Sequence, residues 1–205
     1  MKNYIVGYGS LFNKESVKRT LSSVDYIEPI YLNNYIRSWN AVETKTISFS
    51  TTYLGVEKSN NSKINCVLFE IEENLLDDLD KREFLYTRQK VDYIDIEFIS
   101  NKLNPNKEDN IWIYITNHPS NPSKDYPIIQ SYVDTCISGC FELEKEFKID
   151  DFALDFIRTT KNWSKFWVND RIFPRSPHIY QANAYKIDEL IFSEIPNLYK
   201  EIIIE

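Results

Sequence analysis

Glycine is scarce in this chain of 205 residues: there are four, and two of them, Gly7 and Gly9, fall within the first nine positions. Cysteine and methionine are also thin, with Cys66, Cys136 and Cys140 and one Met at the start. Three thiols do not make a disulfide framework of the secreted kind. The two histidines, His118 and His178, sit in proline-bearing segments, and no C-x-x-C or H-x-x-x-H spacing occurs. A zinc site is therefore excluded by spacing, the thiols read as buried side chains, and no metal or cofactor is expected. Apolar runs of membrane-spanning length are missing, as is the apolar core of a signal peptide. A cytoplasmic protein is the expectation. Blocks of Lys and Arg are missing too. With 24 basic against 31 acidic residues the net charge is −7, so a nucleic-acid footprint is excluded and the balance mainly favours solubility.

Aromatics, by contrast, are abundant: 14 Tyr and 12 Phe indicate a packed, ordered chain rather than a disordered one. The run Tyr4-Ile5-Val6-Gly7-Tyr8-Gly9-Ser10-Leu11 reads as a short strand entering a tight turn, with Asn13 as N-cap of a helix over 14–21. Glycine here serves either a positive φ or the close approach of another group. Spending half of the chain's glycine on one turn suggests a backbone nest, with N–H groups converging on an anion or a carbonyl oxygen.

Further along, 26–41 reads as one broken strand or two, 47–56 as a strand, 57–62 as a polar turn and 66–71 as a compact apolar strand. A short acidic helix over 73–83 follows, with Leu75, Leu76 and Leu79 on one face. Glu83 falls seven residues after Leu76 and four after Leu79, on that same apolar face. A carboxylate there is costly unless paired or functional. Residues 93–98 and 111–115 read as strands, and 117–127, rich in proline, as a surface connection. Helices are expected over 128–147, from Asp150 or Asp151 to about Trp167, and over 187–199 with a break at Pro196. The aromatics Phe152, Phe156, Trp163 and Trp167 read as packing surfaces rather than base-stacking platforms.

The Tyr8-Gly9-Ser10-Leu11 turn, taken with the string Leu79-Asp80-x-Arg82-Glu83-x-x-Tyr86-x-Arg88, resembles the γ-glutamylcyclotransferase family. Two further stretches agree in order: 35–40 is similar to that family's second strand, and 53–56 with 65–70 to the strand pair before the acidic helix. The likeness spans about residues 3–116. It implies an α+β fold, a small mixed β-barrel with flanking helices, occupying residues 1–120, with 121–205 as a helical extension packed on it. It also implies the reaction: the free α-amine of a γ-glutamyl group attacks its own γ-carbonyl, closing 5-oxoproline and expelling an amine or peptide.

In that reaction one carboxylate of raised pKa serves as base and then as acid, a role the resemblance assigns to Glu83. Tyr8, Gly9, Ser10 and Leu11 would bind the substrate through backbone N–H groups and hydroxyls, and Tyr86 would orient the acid/base. Arg82 and Arg88 are candidates for a substrate carboxylate, although Arg82 reads as part of a solvated helix face. No metal is needed where the nucleophile is already tethered. The expected partner is a small γ-glutamyl compound, with no nucleic acid and no membrane. Phe84 and Leu85 stand where many family members carry glycine, which would narrow the pocket. Two other functions compete: a non-catalytic small-molecule binding module on the same fold, and a thiol hydrolase using Cys136 or Cys66 with His118. No Cys sits in a strand-to-helix elbow, which disfavours the second.

Overall fold

A computed structural model describes residues 1–19, 21, 23–24, 26–43, 50–100, 102–175 and 182–205. The first strand, β1 (Asn3–Gly7), is buried along its whole length, as an uninterrupted apolar run requires. It pairs antiparallel with β3 (Thr51–Ile71) and parallel with β6 (Asn110–Thr116). Between β1 and β3 lie a 3-10 turn, Ser10–Phe12, the helix α1 (Lys14–Lys18) and β2 (Glu28–Glu43). Asn13 caps α1 as expected, its side chain accepting the Ser16 N–H at 2.9 Å. After β3 come α2 (Leu76–Arg82), β4 (Tyr86–Lys90) and β5 (Ile96–Phe98).

The main sheet runs β4-β6-β1-β3-β2-β5, and β8 (Thr160–Lys161) adds parallel to β2. The expected closed barrel is not found among the described residues. The ladder is an open path, and a single bridge from Ala41 to Pro119 links β2 to the segment after β6. The α+β class stands on this mixed sheet with helices beside it.

Between residues 26 and 71 the strands are fewer and longer than the sequence suggests. The stretch expected over 26–41 forms one strand, β2 (Glu28–Glu43), whose register against β3 shifts between Asn33 and Tyr35 and between Trp39 and Ala41. Of the polar run 57–62, read as a turn, Glu57 and Lys58 pair with Ile36 and Tyr35 of β2, whereas 59–62 fall in the register shift opposite Asn34, with Asn61 at a left-handed φ of 62°; 47–49 lie outside the described residues. Two expectations fail around the acidic helix. The strand that follows it is β4, missed because Tyr86–Lys90 is a polar, largely exposed edge strand without alternation. Residues Tyr93–Asp95 form a 3-10 turn, and Ile94 is 87% exposed rather than inward-facing.

The chain then forms β7 (Ile128–Ile129), α3 (Gln130–Phe147) and α4 (Phe152–Thr159) before β8. Next come β9 (Trp167–Asn169), α5 (Ala184–Glu194), α6 (Pro196–Tyr199) and β10 (Ile203–Ile204). A small second sheet has the order β10-β9-β7. The expected helix to Trp167 stops at Thr159, where the chain turns into β8, and Asn162 takes a left-handed φ of 60°. Proline at the first position of α6 produces the expected break.

The core is continuous across Asn121. Phe12, in the first turn, packs edge-on against Phe152 and Phe156 of α4, at 5.8 Å in each case. Trp163 bridges Trp39 of β2 and Trp167 of β9. Gly139 sets how close α3 comes to the turn. A Cβ there would stand 2.5 Å from the Asn13 nitrogen and 2.5 Å from the Phe12 carbonyl carbon. No helix among the described residues is long and apolar enough to cross a membrane.

Candidate active site

The glycine of the first turn is required for space. Gly9 has φ −145° and ψ −121°, outside the left-handed region, and a Cβ on it would lie 2.8 Å from the Tyr132 hydroxyl of α3. That hydroxyl meets the Ser10 backbone N–H, so part of the expected nest already faces a polar oxygen. The turn closes through Phe12 N–H to the Gly9 carbonyl at 3.0 Å and Asn13 N–H to the Ser10 carbonyl at 3.2 Å. The N–H groups of Ser10 and Leu11 open the 3-10 turn and have no acceptor within it.

Glu83 comes to this turn from the C-terminal end of α2. Leu76 and Leu79 bury the helix as the apolar spacing requires, with Leu75 half-buried. Glu83 itself is the C-cap, with φ −89° and ψ 39°; its N–H still bonds the Leu79 carbonyl at 2.9 Å. Its side chain is 17% exposed, and Arg82 Nε stands 3.2 Å from its Oε1. Burial raises the Glu83 pKa above the ordinary 4.5, outweighing the Arg82 charge that pulls it down.

A cavity of about 240 Å³ lies between the two, with Ser10, Glu43, Tyr53, Glu83, Tyr86 and Tyr132 in its walls. A smaller one of about 30 Å³ reaches deeper, bounded by Tyr8, Gly9, Ser10, Leu11, Glu83, Tyr86 and Tyr132 among others. All six residues expected at the site (Tyr8, Gly9, Ser10, Leu11, Glu83 and Tyr86) therefore border one or both cavities. Their hydroxyls are partly engaged: Tyr8 donates to the Tyr114 carbonyl at 2.6 Å and Tyr86 to the Leu54 carbonyl at 2.8 Å. Burial holds the Tyr8, Tyr86 and Tyr132 phenols well above their usual range, so they remain neutral donors.

The two arginines part company. Arg82, expected on a solvated face, lines the larger cavity and reaches the Ser16 carbonyl at 3.4 Å. Arg88 turns away, pairing with Asp80 at 3.3 Å over the Trp112 ring. Asp80 also accepts the Tyr114 hydroxyl at 2.7 Å. Strand β6 is thus the common reference for both halves: Tyr114 takes the turn through its carbonyl and α2 through its hydroxyl. Phe84 and Leu85 both line the larger cavity, occupying room that glycine would leave open.

Among the cavity residues not singled out for the site in the sequence are Tyr132, Tyr53 and Glu43. Tyr132 and Tyr53 pack edge to face at 4.9 Å, and Glu43 ends β2. Only tertiary folding brings them here, and the sole local signal is their isolated polarity or aromaticity. The thiols take no part in the cavities. Cys66, Cys136 and Cys140 are buried, and desolvation pushes Cys66 up to about 12. No cluster of metal-ligating side chains occurs among the described residues.

With this geometry in view, the relationship to known proteins is specific. The sequence model of the family described as gamma-glutamyl cyclotransferase, AIG2-like, matches residues 5–132, so the chain belongs to that family. The fold is similar to a solved structure titled "Gamma-glutamyl cyclotransferase", with TM-score 0.60 and 11% identity, covering 92% of this chain and 99% of that one. It is also similar to the uncharacterized human protein loc79017, with TM-score 0.59 and 12% identity over 80% of this chain and 91% of that one. Bacillus subtilis YkqA aligns with TM-score 0.51 and 16% identity, covering 77% of this chain and 53% of YkqA. No curated protein matches the sequence.

Proposed function

We propose that this protein is a metal-independent γ-glutamylcyclotransferase of the cytoplasm that cyclises a γ-glutamyl group to 5-oxoproline and releases an amine or peptide. In this reading residues 1–120 carry the catalytic fold and 121–205 are an extension packed on it. The observation that carries the proposal is a desolvated carboxylate, Glu83, sharing a cavity wall with a turn whose first N–H groups have no acceptor within it.

Glu83, with its raised pKa, takes a proton from the substrate α-ammonium. The freed nitrogen attacks the γ-carbonyl carbon, and the carbonyl electron pair moves onto oxygen. Backbone donors at Gly9 and Leu11, with the neutral Tyr132 hydroxyl that the Ser10 N–H holds, stabilise that oxyanion from positions set before the reaction. When the pair returns, the bond from the γ-carbon to the leaving nitrogen breaks. Glu83 then gives its proton to that nitrogen, takes the second proton from the ring nitrogen and passes it to the released amine, which restores the carboxylate. Tyr86, hydrogen-bonded to Leu54, walls the acid/base on one side.

The test is release of 5-oxoproline from a panel of γ-glutamyl compounds. Turnover is expected for at least one of them, and Glu83→Gln should lower kcat by about 10²-fold or more while ligand still binds. Turnover unchanged in Glu83→Gln would remove Glu83 from the mechanism. Binding of 5-oxoproline without turnover of any compound would leave a binding module on the same fold.

A further inference from the structure

Arg37 is the most unusual charge in the molecule. It lies on β2, is 0% exposed, and its hydrogen-bond acceptors are neutral oxygens. Its Nε donates to Thr160 Oγ1 at 2.8 Å. Its Nη2 reaches Asn65 Oδ1 at 2.8 Å, Thr159 Oγ1 at 3.0 Å and the Phe156 carbonyl at 3.1 Å. Its Nη1 donates to the Asn65 carbonyl at 2.9 Å and to the Tyr8 carbonyl at 3.2 Å.

A guanidinium stays protonated even in such surroundings. Its charge is eased by the C-terminal end of α4, whose last turn supplies the Phe156 carbonyl, and by the Phe156 ring 4.4 Å away. No carboxylate neutralises it among these contacts. One contact belongs to the candidate site. The Tyr8 carbonyl and the Gly9 N–H are the two ends of one trans peptide, so they point in opposite directions. Fixing the carbonyl on Arg37 therefore fixes the direction of the Gly9 N–H, away from the guanidinium.

We propose that Arg37 is a positioning residue for the Tyr8–Leu11 turn, holding the Tyr8–Gly9 peptide so that its N–H faces the small cavity and lending that cavity a positive field that favours a carboxylate or an oxyanion. Hydrogen bonding to the carbonyl end of a peptide also strengthens the N–H end as a donor. The charge is delivered through one peptide unit, without Arg37 touching the ligand. This role rests on the turn being the anion-binding part of the γ-glutamyl site, as proposed above.

Four glycines make the test direct, since [15N]glycine labelling gives one amide signal each for Gly7, Gly9, Gly55 and Gly139. The signal absent in Gly9→Ala is assigned to Gly9. Acetate, the simplest carboxylate, is titrated into wild type, Arg37→Lys, Arg37→Met and Asn65→Asp. Acetate should move the Gly9 signal most in the wild type. Arg37→Met should shift the free Gly9 signal upfield and weaken acetate binding by about tenfold, the scale of one nearby screened charge. Arg37→Lys, which keeps the charge, should restore most of that affinity. Asn65→Asp places a carboxylate against the guanidinium and should weaken acetate binding while the Tyr8 bond remains; it decides the matter if Arg37→Met does not fold. Acetate affinity unchanged in both neutralising variants, or a wild-type Gly9 signal that acetate does not move, overturns the proposal. A wild type that binds acetate through Gly9 but neither binds 5-oxoproline nor releases it would instead refute the γ-glutamyl reading alone.

Discussion

Replacing Gly139 by alanine should destabilise this protein, although alanine is the better helix former. In an exposed helix the exchange gains about 1 kcal/mol. Here the new Cβ would stand 2.5 Å from the Asn13 nitrogen and from the Phe12 carbonyl carbon, both backbone atoms. Comfortable non-bonded separation is about 3.5–4.0 Å, so α3 must retreat from the first turn by about 1 Å. Overpacking of this kind costs about 1–3 kcal/mol, which exceeds the propensity gain over most of that range. The net effect should be a loss of up to about 2 kcal/mol, or up to about 8 °C in Tm for a chain of this size. Urea unfolding followed by tryptophan fluorescence measures it, with the midpoint falling and the m-value unchanged. Tyr132 lies seven residues before Gly139, two turns along the same face of α3, so the same retreat should weaken 5-oxoproline binding. A Gly139→Ala protein more stable than wild type would show that α3 does not press on the Phe12-Asn13 backbone.

Three other outcomes follow from the same geometry. Because the folded state holds the Glu83 proton more tightly than the unfolded chain, stability on this account is greatest at low pH. It falls as pH rises from about 4.5 through the raised pKa. Glu83→Gln should therefore be more stable than wild type at pH 7, and the difference should vanish toward pH 4 in parallel thermal melts. Asp80→Ala leaves the Tyr114 hydroxyl and Arg88 without their common acceptor and should cost about 1–3 kcal/mol in urea unfolding, with reduced turnover. A fragment ending at residue 121 exposes Phe12 and Trp39 and strips Arg37 of its Thr159, Thr160 and Phe156 acceptors, so it should be insoluble; a folded, soluble fragment, seen by gel filtration and circular dichroism, would contradict that.

What the sequence revealed and what it hid divide along physical lines. The Tyr8–Leu11 turn and the Leu79–Arg88 string are local, and local geometry is written in local residues. Glu83 was legible because a carboxylate in phase with Leu76 and Leu79 breaks an apolar stripe, and that phase survives although the helix ends one residue before it. The chain path between elements was harder. The run 57–62 looks like a turn by composition, and 59–62 do leave the ladder, but the bulge lies inside β3 because Glu57, Lys58 and Lys63 on either side of it still pair with β2. Strand β4 carries no alternation because it lies at the edge of the sheet. Tyr132 and Arg37 were beyond reach for a different reason. Each gains its significance from partners more than a hundred residues away in sequence: Gly9 for one, Phe156 and Thr160 for the other.

That distance explains how the extension bears on the site without carrying the recognised motif. The turn is held on three sides: by β6 through the Tyr8 hydroxyl, by α3 through Gly139 and Tyr132, and by the end of α4 through Arg37. Backbone donors stabilise a developing charge only as well as their direction is fixed, since a group that must reorient during the reaction loses most of its effect. A short 3-10 turn has little rigidity of its own. The packing of α3 and α4 supplies that rigidity. Substitutions far from Glu83, at Gly139 or Thr160, should therefore degrade anion binding while leaving the Glu83 pKa in place. A pH profile unchanged in shape but lowered in amplitude is their expected signature, whereas a profile displaced along the pH axis would trace the defect to the carboxylate instead.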